Sequence, residues 1–246
     1  MNLVVDIGNT RVKLAVMEHG RCLAERSTER LLPAMLDELL AAYAVDRAIV
    51  SSTRGDAAEV VAMIRPRVAR CVEFTASTPV PIANDYLTPE TLGRDRLAAA
   101  VGAATLYPGR NVLVIDCGTA VTFDFVSADG HFRGGCISPG LRTRLRALHD
   151  YTASLPLCGI AEDEELLGRS TRDAVERGVM NSLVFEIEGY VSRMQEKIDG
   201  LCVIFTGGDA KYLAKRIKNT IFADRNLVFC GLDRILEFHA SEEHLP

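Results

Sequence analysis

The stretch LVVDIGNTRVKLAV, from Leu3 to Val16, decides how the rest of the chain is read. An apolar run from Leu3 to Val5 gives a buried strand. Asp6 closes it, Gly8, Asn9 and Thr10 make a turn, and a second strand from Val12 to Val16 carries Lys13. These residue types suit phosphate. Gly8 lets backbone N–H groups approach an anion, Asn9 and Thr10 add neutral donors, Lys13 adds a point charge, and Asp6 can face a hydrated Mg2+ ion. Gly-Asn is equally the turn of an ordinary hairpin. The stretch alone leaves these two readings even, and the rest of the chain separates them.

The second half restates the theme. Asn111 to Asp116 reads NVLVID, followed by Cys117-Gly118-Thr119-Ala120-Val121-Thr122 and a strand from Phe123 to Val126. Aligning Asp6 with Asp116 superposes Gly8 on Gly118, so each half opens with strand, Asp-x-Gly, small polar residue, strand. Two such matches predict a duplicated fold with a cleft between the halves.

Between and after these hairpins the pattern alternates. It predicts a strand over 21–27, a helix over 31–43, a strand over 48–51 that delivers Ser51, Ser52 and Thr53 to a loop, a helix over 56–68 and a strand over 71–74. Two prolines make 78–82 an extended loop, and an alanine-rich helix runs to about Leu106 before Pro108-Gly109. This sets a boundary between domains 1–108 and 109–246. In the second, Asp129-Gly130 makes a hairpin turn and 134–140 a turn that starts a helix over 141–149. A helix with an acidic first turn follows at 162–167. Ser170 to Asp173 opens a long helix to about Ile198 with an N-cap box. A strand over 201–205, a helix over 210–217, a strand over 226–229 and a helix over 231–238 complete an α/β chain with mixed sheets.

Composition narrows the function. With 48% hydrophobic residues, 25% charged and a net charge of -5, the chain has no bulk electrostatic case for nucleic acid or an anionic membrane, so any anion must meet a local site. The first residues enter a strand pattern without a basic or apolar leader, and no run approaches a membrane span, so a cytoplasmic protein is expected. Seven scattered cysteines without a C-x-x-C pair read as reduced thiols, mostly buried. Five dispersed histidines support neither a metal site nor a Ser/His/Asp triad.

Three glycine-and-acid turns follow apolar strands, at Asp6 to Gly8, Asp116 to Gly118 and Thr206-Gly207-Gly208-Asp209. Two phosphate hairpins and a third turn for base or ribose make a nucleotide site. Neither G-x-x-x-x-G-K-[ST] nor G-x-G-x-x-G occurs, which disfavours P-loop kinases, Rossmann dehydrogenases and protein kinases. The other centre is Gly93-Arg94-Asp95-Arg96, where Asp95 lies between two guanidinium groups at a helix N-terminus that favours its ionised form. Such a carboxylate can orient an acceptor hydroxyl, and Arg96 can hold an acceptor carboxylate or developing phosphate charge. A capping Asp with solvated arginines is the alternative. Arg142, Arg144 and Arg146 read as a solvated or ion-paired face.

The ordered set of these motifs resembles type III pantothenate kinase. The resemblance rests on Asp6-Ile7-Gly8-Asn9-Thr10 with Lys13, on Asp85-Tyr86-x-x-Pro89-x-x-Leu92-Gly93-x-Asp95-Arg96, and on Asp116-x-Gly118-Thr119-Ala120-x-Thr122. It continues through Gly134-Gly135-x-Ile137-x-Pro139-Gly140, Leu155-Pro156, Gly168-x-x-Thr171 and Thr206-Gly207-Gly208-Asp209-Ala210. It implies the acetate kinase, sugar kinase, Hsp70 and actin superfold, with two ribonuclease-H-like domains around an ATP cleft, in a cytoplasmic homodimer. It implies transfer of the ATP γ-phosphoryl group to the hydroxyl of pantothenate, the first step of coenzyme A synthesis. Asp6, Ile7, Gly8, Asn9, Thr10, Arg11, Val12 and Lys13 would bind ATP, with Asp6 also on Mg2+ and Thr119 on the nucleotide. Asp95 would accept the proton. Tyr86, Gly93, Arg94, Asp95, Arg96 and Thr171 would surround pantothenate, and Thr171 is the one the resemblance allows to come across the dimer interface. Asp116 would bind a monovalent cation, K+ or NH4+. Alternatives of other kinds are a kinase for another small hydroxyl and a non-catalytic nucleotide-binding regulator; the presence of both Asp6 and Asp95 counts against the regulator.

Overall fold

The computed structural model describes residues 1–55, 57–213, 216–217, 221–222 and 227–242. In chain order the elements are β1 (Asn2–Ile7), β2 (Val12–Glu18), β3 (Arg21–Thr28), α1 (Pro33–Ala42), β4 (Arg47–Ser52), α2 (Ala57–Ile64) with a 3-10 turn at Arg65–Arg67, β5 (Arg70–Glu73), β6 (Ala83–Asn84) and α3 (Arg94–Leu106). There follow β7 (Val112–Cys117), β8 (Ala120–Val126), β9 (His131–Pro139), α4 (Leu141–Asp150), α5 (Thr171–Gln195), β10 (Cys202–Thr206), α6 (Ala210–Leu213), β11 (Ile221–Phe222) and α7 (Leu227–Glu242). Contacts divide the chain into two units. The first comprises Met1–Gly109, Val126–Gly134 and Asn226–Pro246, and the second Arg110–Phe125 and Gly135–Arg225.

The first unit holds a sheet in the order β3-β2-β1-β4-β5. β1, β2 and β3 are antiparallel neighbours, whereas β1, β4 and β5 run parallel. All six residues of β1 are buried, as a central strand covered on both faces requires. The two-residue period then sorts its side chains. Leu3, Val5 and Ile7 join Val12, Leu14, Ala48 and Val50 against α1 and α2, while Val4 joins Ala15, Met17 and Ile49 against α3 and α7. By the same alternation Asp6, Lys13 and Ser51 belong to the α3 face. The short β6 pairs in parallel with the start of β9, Ala83 level with His131 and Asn84 with Phe132.

α3 and α7 cross at glycine. A methyl group on Gly102 would lie 2.2 Å from the carbonyl oxygen of Leu227, and one on Gly231 would lie 1.8 Å from that of Ala98. The alanine-rich sequence of α3 is therefore a contact surface that lets two helix backbones approach. The apolar run Leu227 to Phe229, expected as a strand, is the first turn of α7. Buried on α3, it shows no polar face to betray the helical period. Residue 226 lies outside the described residues.

The second unit repeats the arrangement in the order β11-β10-β7-β8-β9, with β7, β10 and β11 parallel. Leu113, Ile115 and Cys117 of β7 with Val203 and Phe205 of β10 pack on α4, α5 and α6 through Leu141, Leu145, Met180, Leu183, Ile187 and Leu213. Two expectations fail here. Residues 134–139, read as a turn, continue β9 to Pro139, since exposed backbone paired in a sheet does not need apolar side chains. Residues 162–167 form no helix. Arg216 donates to the carbonyls of Ala161 and Asp163, which a helix here would use for its own bonds, while Arg177 and Asn181 hold the carbonyls of Leu167, Glu165 and Leu166 against α5. Leu166 and Leu167 are exposed and offer no buried face. α6 is described only to Leu213, and residues 214–215 of the expected 210–217 helix lie outside the described residues. The seven cysteines are reduced thiols, with Cys117, Cys158, Cys202 and Cys230 buried and Cys136 exposed. Among the described residues no helix is long and apolar enough to cross a membrane.

Candidate active site

The first turn is built as its sequence suggests. Gly8 N donates to the Arg11 carbonyl at 3.0 Å, closing the connection between β1 and β2. Arg11 is tied outward to Ser27, with Nε 2.7 Å from its hydroxyl and Nη2 3.0 Å from its carbonyl, which holds the turn against β3. Asn9 and Thr10 stay exposed, whereas the side chains of Ile7 and Val12 lie in the core, so those two offer only backbone to a ligand.

Inward from that turn, Asp6 stands opposite Lys13 on β2 and level with Ser51 on β4. Asp6 is 8% exposed and its Oδ1 has no hydrogen-bond partner; the same holds for the fully buried Ser51 hydroxyl. Burial pushes the Asp6 carboxyl up to about 6, with Lys13 opposing and the nearby Asp95 charge reinforcing the rise. A buried carboxylate with an open oxygen is poorly satisfied by itself and well suited to a cation.

Asp95 lies in the first turn of α3, the helix on Asp6's side of the sheet. Its Oδ1 accepts from the backbone N–H of Arg96 at 2.9 Å. A methyl group on Gly93 would come within 2.6 Å of that oxygen, so glycine is what leaves the carboxylate its place. Arg96 is buried, and its guanidinium lies 5.7 Å from the centre of the Tyr86 ring, which meets Phe132 at 6.0 Å. Arg94 instead donates to the carbonyls of Pro89 and Glu90 and braces the preceding loop. Asp85 is also occupied structurally, paired with Arg133 at 2.7 Å and His131 at 3.2 Å. Tyr86, Gly93, Arg94, Asp95 and Arg96 are thus brought together by one loop and one helix start in the first unit.

The second unit carries the counterpart turn. Gly118 N donates to the Ala120 carbonyl at 2.9 Å, as Gly8 N does to Arg11. Lys13 stands opposite Asp6, and in the second unit Thr122 lies on β8, the sheet neighbour of the strand that carries Asp116. Thr206 is level with Asp116 on the adjacent parallel strand, as Ser51 is with Asp6. The Thr122 hydroxyl has no partner. Thr119 is exposed, its carbonyl held by Gly140 N at 3.0 Å and the Thr143 hydroxyl at 2.7 Å. Gly207 has φ +93, and a methyl group there would meet Asp116 Oδ1 at 2.4 Å, so the third glycine turn packs directly on Asp116.

Thr171 is the exposed first residue of α5, after the Ser170 cap that accepts from Asp173 N at 3.1 Å. Arg142 lies 3.5 Å from Asp209, Arg144 pairs with Glu186, and Arg146 lies 3.5 Å from Asp150, so this row is a set of ion pairs within the unit. Among the described residues no three His, Cys, Asp or Glu side chains cluster as a metal site. Ser51 and Thr206 stand in the sequence as strand-end hydroxyls, but their places beside Asp6 and Asp116 come only from the strand registers.

A family model for type III pantothenate kinase matches residues 2–193. The protein of that name from Phocaeicola vulgatus is 41% identical over 240 residues, 97% of this chain and 99% of its own. The chain belongs to the type III pantothenate kinase family. Among solved structures, one from Campylobacter jejuni, described as belonging to a Baf family of transcriptional activators, matches with a TM-score of 0.64 at 20% identity over 97% of this chain and 99% of its own. Another, from Sinorhizobium meliloti and named for 2-dehydro-3-deoxygalactonokinase, matches with 0.57 at 16% identity over the whole of both chains. Such likenesses speak for the fold alone. They bear out the duplicated α/β fold expected from the two Asp-x-Gly hairpins, which the family resemblance gives as ribonuclease-H-like.

Proposed function

We propose that this chain transfers the γ-phosphoryl group of ATP to the hydroxyl of pantothenate, the first step of coenzyme A synthesis. Membership of the type III pantothenate kinase family supports the acceptor. The observation that carries the chemistry is that Asp6, the buried acid of the phosphate turn, feels the charges of both Lys13 and Asp95. An acid suited to a metal-bound phosphate and an acid suited to a hydroxyl thus act within one electrostatic field.

The roles follow from the groups present. The hairpin from Asp6 through Lys13 would receive the phosphates, with the backbone N–H groups of its turn, the side chains of Asn9 and Thr10 and the Lys13 ammonium making that hold, and Thr119 serving the nucleotide from the second unit. Asp6 would hold hydrated Mg2+, and its partnerless Oδ1 fits a water of an ion that takes one or two carboxylates and keeps several waters. When bound, that ion would neutralise phosphate charge. Asp95 would take the proton as the pantothenate hydroxyl attacks, which needs position more than basicity because the transition state is loose. Arg96, made rigid by burial and by Tyr86, suits the pantothenate carboxylate; Gly93, Arg94 and Thr171 would complete its surroundings.

Asp116 would hold a monovalent cation, K+ or NH4+. The partnerless Thr122 hydroxyl on the neighbouring strand β8 fits an oxygen-seeking ion. The reading keeps domains 1–108 and 109–246 as the two motif-bearing halves, a cytoplasmic location, a homodimer and no nucleic-acid partner. The test is pantothenate-dependent ADP release with K+ or Na+ as the sole monovalent cation. Turnover that needs both pantothenate and K+ is expected. Nucleotide binding with no turnover in either salt would overturn the assignment in favour of a kinase for another acceptor or a regulator.

A further inference from the structure

Of the three buried polar side-chain atoms without partners among the described residues of the first unit, two belong to neighbouring strands at one level. Asp6 Oδ1 and Ser51 Oγ each have no hydrogen bond, and the parallel ladder sets Asp6 level with Ser51. Both side chains belong to the sheet face that α3 covers, together with Val4 and Ile49. Buried polar atoms are nearly always satisfied by protein or ordered water, so two open ones at one level call for a shared guest. The carboxylate can only accept, so the guest must donate to it; the serine hydroxyl can give or take. Oxygens bridged by a water stand about 5 Å apart, which is the spacing of adjacent strands, whereas adjacent ligands of one Mg2+ stand about 3 Å apart. The spacing therefore favours a water over a shared ion.

The second unit repeats the placement of a hydroxyl beside the acid. Thr206, 4% exposed, is level with Asp116 on the neighbouring parallel strand. A hydroxyl beside the acid of each turn is what duplication of a working part would leave.

We infer that Ser51 is a positioning residue of the phosphate turn: its hydroxyl and Asp6 Oδ1 hold one water between them, and that water joins the hydration shell of the divalent ion carried by the nucleotide. This rests on the reading given under Proposed function. Ser51 does not touch the reacting atoms. It fixes the direction of the Asp6 carboxylate and one water of the ion.

The test compares Ser51→Thr, which keeps the hydroxyl, with Ser51→Val, which has the same shape without it, and with Ser51→Ala, which adds no bulk. The probe is Mn2+ in place of Mg2+, followed by electron paramagnetic resonance with ADP present, beside metal-free ADP binding. Ser51→Val and Ser51→Ala should retain Mn2+ about tenfold more weakly, the scale of one lost water-mediated hydrogen bond to a charged group. Ser51→Thr should match the unsubstituted protein, and metal-free ADP binding should be the same in every variant. Equal Mn2+ retention by Thr and Val, or a parallel loss of metal-free binding, would overturn the inference. If the unsubstituted protein fails to retain Mn2+ with ADP, the kinase reading falls and takes this inference with it. If it retains Mn2+ and the Val and Ala variants retain it equally well, only the role of Ser51 falls.

Discussion

Gly93→Ala separates the placing of Asp95 from the folding of α3. The added methyl would lie 2.6 Å from Asp95 Oδ1, where ordinary contact begins at 3.4 Å, so the carboxylate must retreat by about 0.8 Å. The other close atoms are the flexible Cγ and Cδ of Arg96, at 3.6 and 3.5 Å, so no backbone is struck. Gly93 has φ -54 and ψ 129, which alanine accepts, and it precedes the helix without a side-chain cap to lose. The helix start should cost about 1 kcal/mol or less, partly offset by the lower entropy of the unfolded chain. The melting temperature should then move by less than about 4 °C. Turnover should suffer far more, because misplacing a reacting group by 1 Å costs on the order of a hundredfold. We expect kcat for pantothenate-dependent ADP release to fall roughly ten- to a hundredfold, with ATP binding unchanged. A well-folded variant with normal kcat would refute the argument that the place of this carboxylate matters. A large fall in melting temperature with parallel loss of nucleotide binding would instead make Gly93 structural.

Further outcomes follow from the same geometry. Asp95→Asn should bind ATP normally and lose about 10²- to 10⁴-fold in kcat, the range for a removed general base, as read by nucleotide titration beside steady-state ADP release. In metal-free protein, Asp6 is raised from 3.8 to about 6, so its neutral form supports the fold fully below about pH 4 and that support is lost as pH rises through about 6. Asp6→Asn should therefore stabilise the metal-free protein at pH 8, by at most about 3 kcal/mol, and leave it unchanged near pH 4, as urea unfolding in a chelator would show. Gly231→Ala should cost about 3 kcal/mol by forcing α7 from α3, visible as a lowered urea midpoint. Gly207→Ala should cost about 1–3 kcal/mol through its positive φ and its contact with Asp116, measured in the same way.

Much of this was legible in the residues because the informative features are local. Asp6, Gly8 and Lys13 belong to one hairpin, and Gly93 to Arg96 to one helix start, so periodicity and turn chemistry suffice to find them. The failures were of other kinds. Gly134-Gly135 and Pro139 read as a turn, but β9 is held by backbone pairing, to which side-chain type is a weak guide. Leu227 to Phe229 carries an apolar run that periodicity cannot assign to strand or helix when every side is buried. Ser51 could be seen as a hydroxyl at a strand end. Its relation to Asp6 depends on the register of β1 with β4, which joins residues 45 positions apart. The grouping of Val126–Gly134 and of α7 with the first unit is equally a matter of long-range contacts.

The central claim is that this chain phosphorylates pantothenate at the expense of ATP. Its most direct test is to incubate the unsubstituted chain with Mg2+, K+, ATP and pantothenate and follow both products, ADP by a coupled assay and the pantothenate derivative by mass spectrometry. ADP released only with pantothenate, matched one for one by pantothenate bearing a single phosphoryl group, is the predicted result. ADP released at the same rate with and without pantothenate, or no ADP despite bound nucleotide, would contradict it.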